Sequence, residues 1–414
     1  MERLLGREEL AELLAALREP PVRGLRLNPA KVAAGELGRL LGVELSEPVP
    51  WSSGGTGFVL PPETPSLGRH PAIDCGLFYL QDPASMLAPA LMAPSPGWRV
   101  ADVAAAPGGK ATDLAARVGR GGLLLANEVV RPRLRLLESA FDRWGSPAAA
   151  TSSVAIERLP GAGTWDGVLL DAPCTGEALF RRDPDAARGW SDADVRGNAR
   201  RQARLLDAAA RLVRPGGVLV YSTCSFETAE NEDQVEIFVE RHRTEFALEH
   251  SERIWPHRAP GNGQFVARLV REGESRAVIE RQPPRPEPGA LRDWYAFRDR
   301  TLPGFEIDDD SIVAVGDALH LVPEFLPGPL SRPGLPLGRR RPGRFEPAHA
   351  LATAIDAGQA AERVPCTPEY LRGETMPSKG PDGWVLVTYE RWGLGWARRT
   401  QGTLKNFFPK ALRR

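Results

Sequence analysis

Arg99-Val-Ala-Asp-Val-Ala-Ala-Ala-Pro-Gly-Gly-Lys110, running on into Ala111-Thr-Asp-Leu-Ala-Ala-Arg-Val118, carries three structural signals in succession. A short apolar run ends at Val103, a small-residue turn holds Pro107, Gly108 and Gly109, and helix-periodic residues follow. Strand, tight turn and helix in that order form the first unit of a doubly wound α/β sheet. The small residues allow a ligand to approach the backbone, and glycine permits turn geometries that a Cβ forbids. Ligands of such sheets bind beyond the carboxyl ends of the strands.

Working outward, the α/β pattern continues through four more strands. Leu123–Ala126 ends in Asn127-Glu128, and Ala148–Thr151 is a weaker third strand. Asp166–Leu170 closes on Asp171-Ala-Pro-Cys174, and Val218–Tyr221 closes on Ser222-Thr-Cys-Ser225. Helices are expected at Arg133–Trp144, Asp192–Val213 (stopped by Arg214-Pro-Gly-Gly217) and Thr228–Arg241; strands at Phe246–Glu249 and Gln264–Val270 complete the sheet. Ahead of this core, residues 1–75 read as a small α+β domain with helices at Leu4–Leu17 and Val32–Leu41 and strands at Val22–Leu27 and Gly57–Leu60. Gln81–Met92 reads as a helix opening near Asp82-Pro83. The catalytic core is therefore expected over 76–270, a Pro-, Arg- and Glu-rich linker over 271–290, and a β-rich C-terminal domain over 291–414, with strands at Ile312–Val315, Leu319–Val322 and Trp384–Tyr389.

With 414 residues and no uninterrupted apolar run approaching ~18 residues, the chain is expected to have two or three domains and no membrane span. The charged, amphipathic N-terminus is unlike a signal peptide. Four dispersed cysteines (Cys75, Cys174, Cys224, Cys366) contain no CxxC, which argues against structural zinc and a disulfide framework and for a reducing cytoplasm. Net charge is zero, so the placement of charge matters more than its sum. Arg339-Arg-Arg-Pro-Gly-Arg344 is one basic stretch; Arg391–Arg414 is another, with seven cations, no acid, and Trp392, Trp396, Phe407 and Phe408 interleaved. Cations alternating with flat rings suit phosphate contact and base stacking; the alternative is a solvated tail carrying two core aromatics. Arg23, Arg26, Asn28 and Lys31 form a polar strand end that is either a solvated edge or RNA-facing.

The strand ends suggest chemistry. Glu128 stands where this fold places a carboxylate for ribose hydroxyls, which points to an adenosine-type ligand. The first turn lacks GxGxxG, so a pyrophosphate is disfavoured and S-adenosylmethionine fits better. Only five of 53 cations are lysines, and one of them, Lys110, lies in the central loop. Cys174 and Cys224 follow adjacent ligand-facing strands, where nearby positive charge favours the reactive thiolate. Thiolate addition beside a methyl donor makes an unreactive pyrimidine carbon nucleophilic.

Asp102-Val-Ala-Ala-Ala-Pro-Gly-Gly-Lys110, Leu170-Asp-Ala-Pro-Cys-Thr-Gly-Glu177 and Ser222-Thr-Cys-Ser225 together resemble the motifs of the Nop/Sun RNA cytosine-5 methyltransferases. Tyr79-Leu-Gln-Asp-Pro-Ala-Ser-Met86, Phe180-Arg-Arg-Asp-Pro184 and Glu230-Asn-Glu232 also match, and Gly393-Leu-Gly-Trp396 with Leu404–Arg413 resembles the tail of the bacterial RsmF type. The resemblance implies a Rossmann-like S-adenosylmethionine methyltransferase core with a C-terminal RNA-binding domain, acting as a monomer on ribosomal RNA or a small-subunit particle. By the same resemblance Cys224 is the nucleophile toward carbon-6 of a flipped cytosine, and Asp171 serves ring nitrogen-3. Cys174 acts in removal of the carbon-5 proton or release of the adduct. Ala104, Ala105, Ala106, Pro107, Gly108, Gly109, Lys110 and Glu128 hold the cofactor, with Asp171 beside it and Lys110 near the acid. Where the family commonly has an Asp for the adenine, this chain reads Thr151-Ser-Ser-Val154, leaving Ser152, Ser153 or a backbone carbonyl. Rival readings are the same reaction on tRNA or DNA, and an idle rRNA-binding assembly factor. The second cysteine argues against the DNA enzyme, and the intact cysteine pair with Asp171 against the idle factor.

Overall fold

The computed structural model describes residues 1–274, 286, 289, 291–323, 326 and 330–414. The linker expected at 271–290 lies for the most part outside the described residues. Near the N-terminus, β1 (Gly24–Leu27) pairs antiparallel with β2 (Gly57–Val59) and with β3 (Phe78–Leu80). The central sheet comprises β4 (Arg99–Asp102), β5 (Leu123–Asn127), β6 (Ala149–Ser152), β7 (Trp165–Asp171), β8 (Val213–Thr223), β9 (Phe246–Ile254) and β10 (Gln264–Arg271). Its order is β6-β5-β4-β7-β8-β10-β9; the first five strands are parallel, and β10 runs antiparallel to β8 and β9. It is a Rossmann-like, mostly parallel sheet with one antiparallel strand inserted near its edge. The interiors of its parallel strands are buried on both faces, as near-continuous apolar runs demand. The chain winds outward from β4 to β5 and β6, then returns beside β4 with β7. That reversal opens a crevice at the carboxyl ends of β4 and β7.

Helices Gly109–Val118, Arg131–Trp144 and Asp192–Ala210 cover the sheet. The last is capped by Ser191, whose hydroxyl accepts from the Asp194 N–H (3.2 Å) and donates to its carboxylate (2.6 Å). It ends at Ala210 rather than Val213, because Val213 already pairs with Trp165 and the strand runs through Pro215-Gly-Gly217. The expected helix Gln81–Met92 is shorter: Asp82 accepts from the Ala84 N–H (2.9 Å), a 3₁₀ turn follows, and the α-helix covers Leu87–Met92.

Two C-terminal sheets complete the molecule. One is the antiparallel series β11 (Ile312–Val315), β12 (Ala318–Leu321), β13 (Leu335–Arg341) and β14 (Arg344–Pro347). The other contains β15 (Arg363–Pro365), β16 (Met376–Pro377), β17 (Gly383–Tyr389), β18 (Trp392–Thr400) and β19 (Thr403–Asn406), in the order β15-β17-β18-β19-β16. The basic aromatic tail is thus two strands of a sheet. Trp396 and Phe408 are 1% exposed and therefore core, not a stacking surface. Leu25, Leu27, Leu37 and Phe78 share one apolar cluster with Tyr370, Val385, Leu394 and Phe408, so the two ends of the chain complete each other's core.

The polar strand end of the first sheet is neither a solvated edge nor an RNA-facing one. Arg26 is 1% exposed; its guanidinium donates to Gly109 O (3.0 Å), Thr112 Oγ1 (2.6 Å) and Gln81 Oε1 (3.1 Å) and lies over Trp144. Asn28 donates to the carbonyl of Trp144, and Lys31 to those of Arg143 and Cys75. These groups cap the C-terminus of the helix Arg131–Trp144, whose last carbonyls lack partners of their own. Burial pushes the Lys31 ammonium down to about 7.

Candidate active site

At the mouth of the crevice the loop after β4 turns sharply into its helix. Gly108 adopts φ 116°, and a Cβ there would lie 3.0 Å from Ala140 Cβ, so both conformation and space require glycine. The helix it caps carries Lys110 toward β7, placing Nζ 2.8 Å from Asp171 Oδ2. The β7–β8 register sets Asp171 opposite Ser222, whose hydroxyl donates to Asp171 Oδ1 at 2.7 Å. Burial disfavours the Lys110 ammonium, but Asp171, with Cys224 and Asp102, outweighs it and raises the pKa.

Cys174 and Cys224 lie with sulfurs 3.4 Å apart, at hydrogen-bonding separation. Their hydrogen bond, then burial and the charge of Cys224, push the Cys174 thiol well above its ordinary value. Two cysteine-bearing turns are locked from below by carboxylates that sequence reasoning did not single out as site residues. Glu230, fully buried, accepts from the Thr175 N–H and hydroxyl and from Gln202 Nε2 (3.0 Å). Gln202 also donates to Pro173 O (2.9 Å). Glu177 accepts from the Thr175 hydroxyl (2.6 Å), the Phe226 N–H (3.2 Å) and Trp190 Nε1 (2.6 Å). The sequence signal for Gln202 is its place in the apolar stripe Val195–Gln202–Leu206, where an amide needs a buried partner.

Glu128, 3% exposed, accepts from the Val130 N–H (2.8 Å) and pairs with Arg133 (3.2 Å), which also donates to Ala106 O. It holds the turn that leads into the helix Arg131–Trp144 and lies on the wall of a cleft of about 530 Å³. Ala104, Ala106, Asp171, Cys174 and Cys224 line the same cleft. Ala105, Pro107, Gly109 and Lys110 line a second cleft of about 310 Å³ that meets the first at Ala104, Ala106, Asp171 and Cys224. Ser152 is buried and lines neither cleft, and its hydroxyl donates to Asn127 Oδ1 (2.8 Å). Three further polar groups line the second cleft. Asp102 Oδ2, Gln81 Nε2 and Gln264 Nε2 are buried without a partner. Burial, and next the charge of Asp171, pushes Asp102 up to about 7.

Comparison with known proteins agrees along the chain. Residues 89–270 match the family described as 16S rRNA methyltransferase RsmB/F. Residues 1–83 match the N-terminal domain of 16S rRNA methyltransferase RsmF, and residues 367–414 the methyltransferase RsmF PUA domain. Ribosomal RNA small subunit methyltransferase F of Shewanella sp. (strain MR-4) is 30% identical, over 97% of this chain and 93% of its own length. The protein of that name from Pectobacterium atrosepticum is 30% identical, over 97% and 92%. Among solved structures, PH0851 is 30% identical with a TM-score of 0.60, covering 65% of this chain and 63% of its own. NSun6 from Pyrococcus horikoshii, determined with SFG, shares the fold at 23% identity and a TM-score of 0.59, over 66% of this chain and 97% of its own.

Proposed function

Because the chain belongs to the RsmB/F family of 16S rRNA methyltransferases, we propose that it methylates carbon-5 of a cytosine in small-subunit ribosomal RNA through a covalent cysteine adduct. The observation that carries this reading is the 3.4 Å approach of the Cys174 and Cys224 sulfurs beside the Asp171–Lys110 pair. S-adenosylmethionine supplies the methyl group. The residues suit it: Glu128 is placed for ribose hydroxyls, and Asp102 Oδ2 is a buried oxygen still lacking a donor.

Cys174 keeps its proton and offers it to the Cys224 sulfur, which makes Cys224 the better nucleophile of the two. Cys224 adds to carbon-6 of the flipped base, and the displaced π pair moves toward ring nitrogen-3. Asp171, whose two oxygens accept from Lys110 and Ser222, relays a proton from the Lys110 ammonium to that nitrogen. Carbon-5, now electron-rich, takes the methyl group. Once Cys224 is a thioether it carries no charge and accepts no strong hydrogen bond, so two of the causes holding Cys174 protonated fall away and burial remains. Cys174 releases its proton to solvent, takes the proton from carbon-5, and the Cys224–carbon-6 bond breaks with return of the nitrogen-3 proton through Asp171 to Lys110.

The roles separate experimentally. Cys174→Ala should accumulate an RNA-linked species on a denaturing gel, dependent on both RNA and S-adenosylmethionine, while Cys224→Ala should form no adduct and no product. The inverse pattern would exchange the two roles. Activity retained in both variants with no adduct would remove covalent catalysis.

A further inference from the structure

Most cations that look poised for RNA in the sequence are engaged within the protein. Arg391 pairs with Glu36 (2.8 Å), Arg399 is buried on Glu362, Arg414 pairs with Asp74 (2.7 Å), and Arg413 donates to Phe408 O. In the β13–β14 hairpin, Arg339 and Arg341 pair with Asp317. The helix Asp192–Ala210 is different. Its segment Val195-Arg-Gly-Asn-Ala-Arg-Arg-Gln-Ala-Arg-Leu-Leu206 contains no acid, and Arg196, Arg200, Arg201 and Arg204 are all exposed. None of the four has an ion-pair or hydrogen-bond partner among the described residues.

At ~100° per residue these arginines span about 140° of the helix, on the side opposite Val195, Gln202 and Leu206. Arg196, Arg200 and Arg204 stand at i, i+4 and i+8, one row of like charge with no acid between its members. The row extends for ~12 Å, too long for one small anion and suited to successive phosphates, which arginine grips through its planar fork. Arg201 and Arg204 reach the rim of the cleft that holds Cys174 and Cys224. On its inner side the same helix holds the Cys174 turn through Gln202.

We propose that the outer face of this helix carries the phosphodiester backbone of the substrate RNA next to the flipped base. The inference rests on RNA being the substrate. A base that enters the cysteine cleft arrives tethered to its own phosphates; Arg201 and Arg204 lie at that entrance, and Arg196 and Arg200 continue the row away from it.

The test is Arg196→Gln/Arg200→Gln in the full chain, using exposed positions that do not line the cleft and a residue of similar helix propensity. The probe is an unmodified, labelled small-subunit rRNA transcript titrated across a salt series. Each lost phosphate contact reduces the slope of log affinity against log salt by ~0.7–0.9, so the double variant should flatten it by about 1.4–1.8. Calorimetric affinity for S-adenosylmethionine should be unchanged. Arg69→Gln/Arg120→Gln, exposed and equally unpartnered elsewhere, should keep the wild-type slope. A helix variant with the wild-type slope, or one matched by the control pair, overturns the proposal. The two readings fail separately: wild-type protein that binds through the helix but methylates no cytosine sinks the proposed reaction and leaves this surface standing.

Discussion

Arg26→Met isolates the question of what a buried cation does at the junction of the first sheet and the methyltransferase core. Methionine keeps the apolar stem and loses the fork. The wild-type guanidinium makes three hydrogen bonds, to Gly109 O, Thr112 Oγ1 and Gln81 Oε1, and approaches Asp113 at 3.9 Å. Charged hydrogen bonds contribute ~1.5–3 kcal/mol each, against a desolvation cost of several kcal/mol for burying the charge. That burial lowers the guanidinium's pKa, with Asp113 opposing it. What decides the net loss is what the substitution leaves behind. Gln81 Oε1 and Thr112 Oγ1 lose the donor that Arg26 supplies, Gly109 O keeps the Thr112 hydroxyl, and Gln81 Nε2 is already without a partner among the described residues. Removal of one side of such a buried arrangement costs ~3–5 kcal/mol. Urea unfolding should show that loss in the midpoint, and calorimetry should show weaker S-adenosylmethionine binding, because Gly109 and Thr112 belong to the first turn of the loop's helix. The salt slope of RNA affinity should not change. A folded Arg26→Met protein with wild-type stability and a flatter salt slope would refute the reasoning and return Arg26 to the RNA surface.

Asp102 and Glu230 support two further predictions. With its carboxyl pushed up to about 7, Asp102 is mostly protonated below neutrality and ionised above it; a cationic cofactor binds the ionised form better, so S-adenosylmethionine affinity should rise between about pH 6 and 8. In calorimetry Asp102→Asn should flatten that dependence, and a wild-type affinity independent of pH would exclude the contact. Glu230→Gln replaces one acceptor oxygen by a donor facing Gln202 or Thr175; it should lower stability by ~1–3 kcal/mol and slow release of the RNA adduct more than its formation. Single-turnover kinetics with unaltered release would confine Glu230 to a structural role.

The central strands were legible because burial on both faces writes itself as an apolar run, and the residues just past those runs were legible because the fold opens its crevice there. That rule singled out Glu128, Cys174 and Cys224, the family resemblance added a role for Asp171, and all four line one cleft. Phe78–Leu80 was not, since a three-residue strand has no periodicity of its own and takes its register from β1, some fifty positions earlier. Strands β18 and β19 were hidden for another reason: the seven cations interleaved with aromatics over 391–414 suggested a surface, while the pairing partners that neutralise several of them lie far back in the chain.

That second failure has a common physical form. Residue type indicates the charge a side chain carries, but a cation's role follows from whether an acid or a carbonyl meets it. Arg26, Lys31 and Arg399 stand in segments that suggested RNA contact, and each is held by protein groups: Gly109, Cys75 and Glu362. Arg196 and Arg200 lie in a helix whose cations the sequence did not single out, and they have no partner among the described residues. Free charge, rather than basic composition, is what a polyanion can use. In a chain whose charges sum to zero, the surface open to RNA is therefore the one where the internal pairing is incomplete. The long helix beside the cysteine cleft meets that condition with four arginines along twelve residues, from Val195 to Leu206.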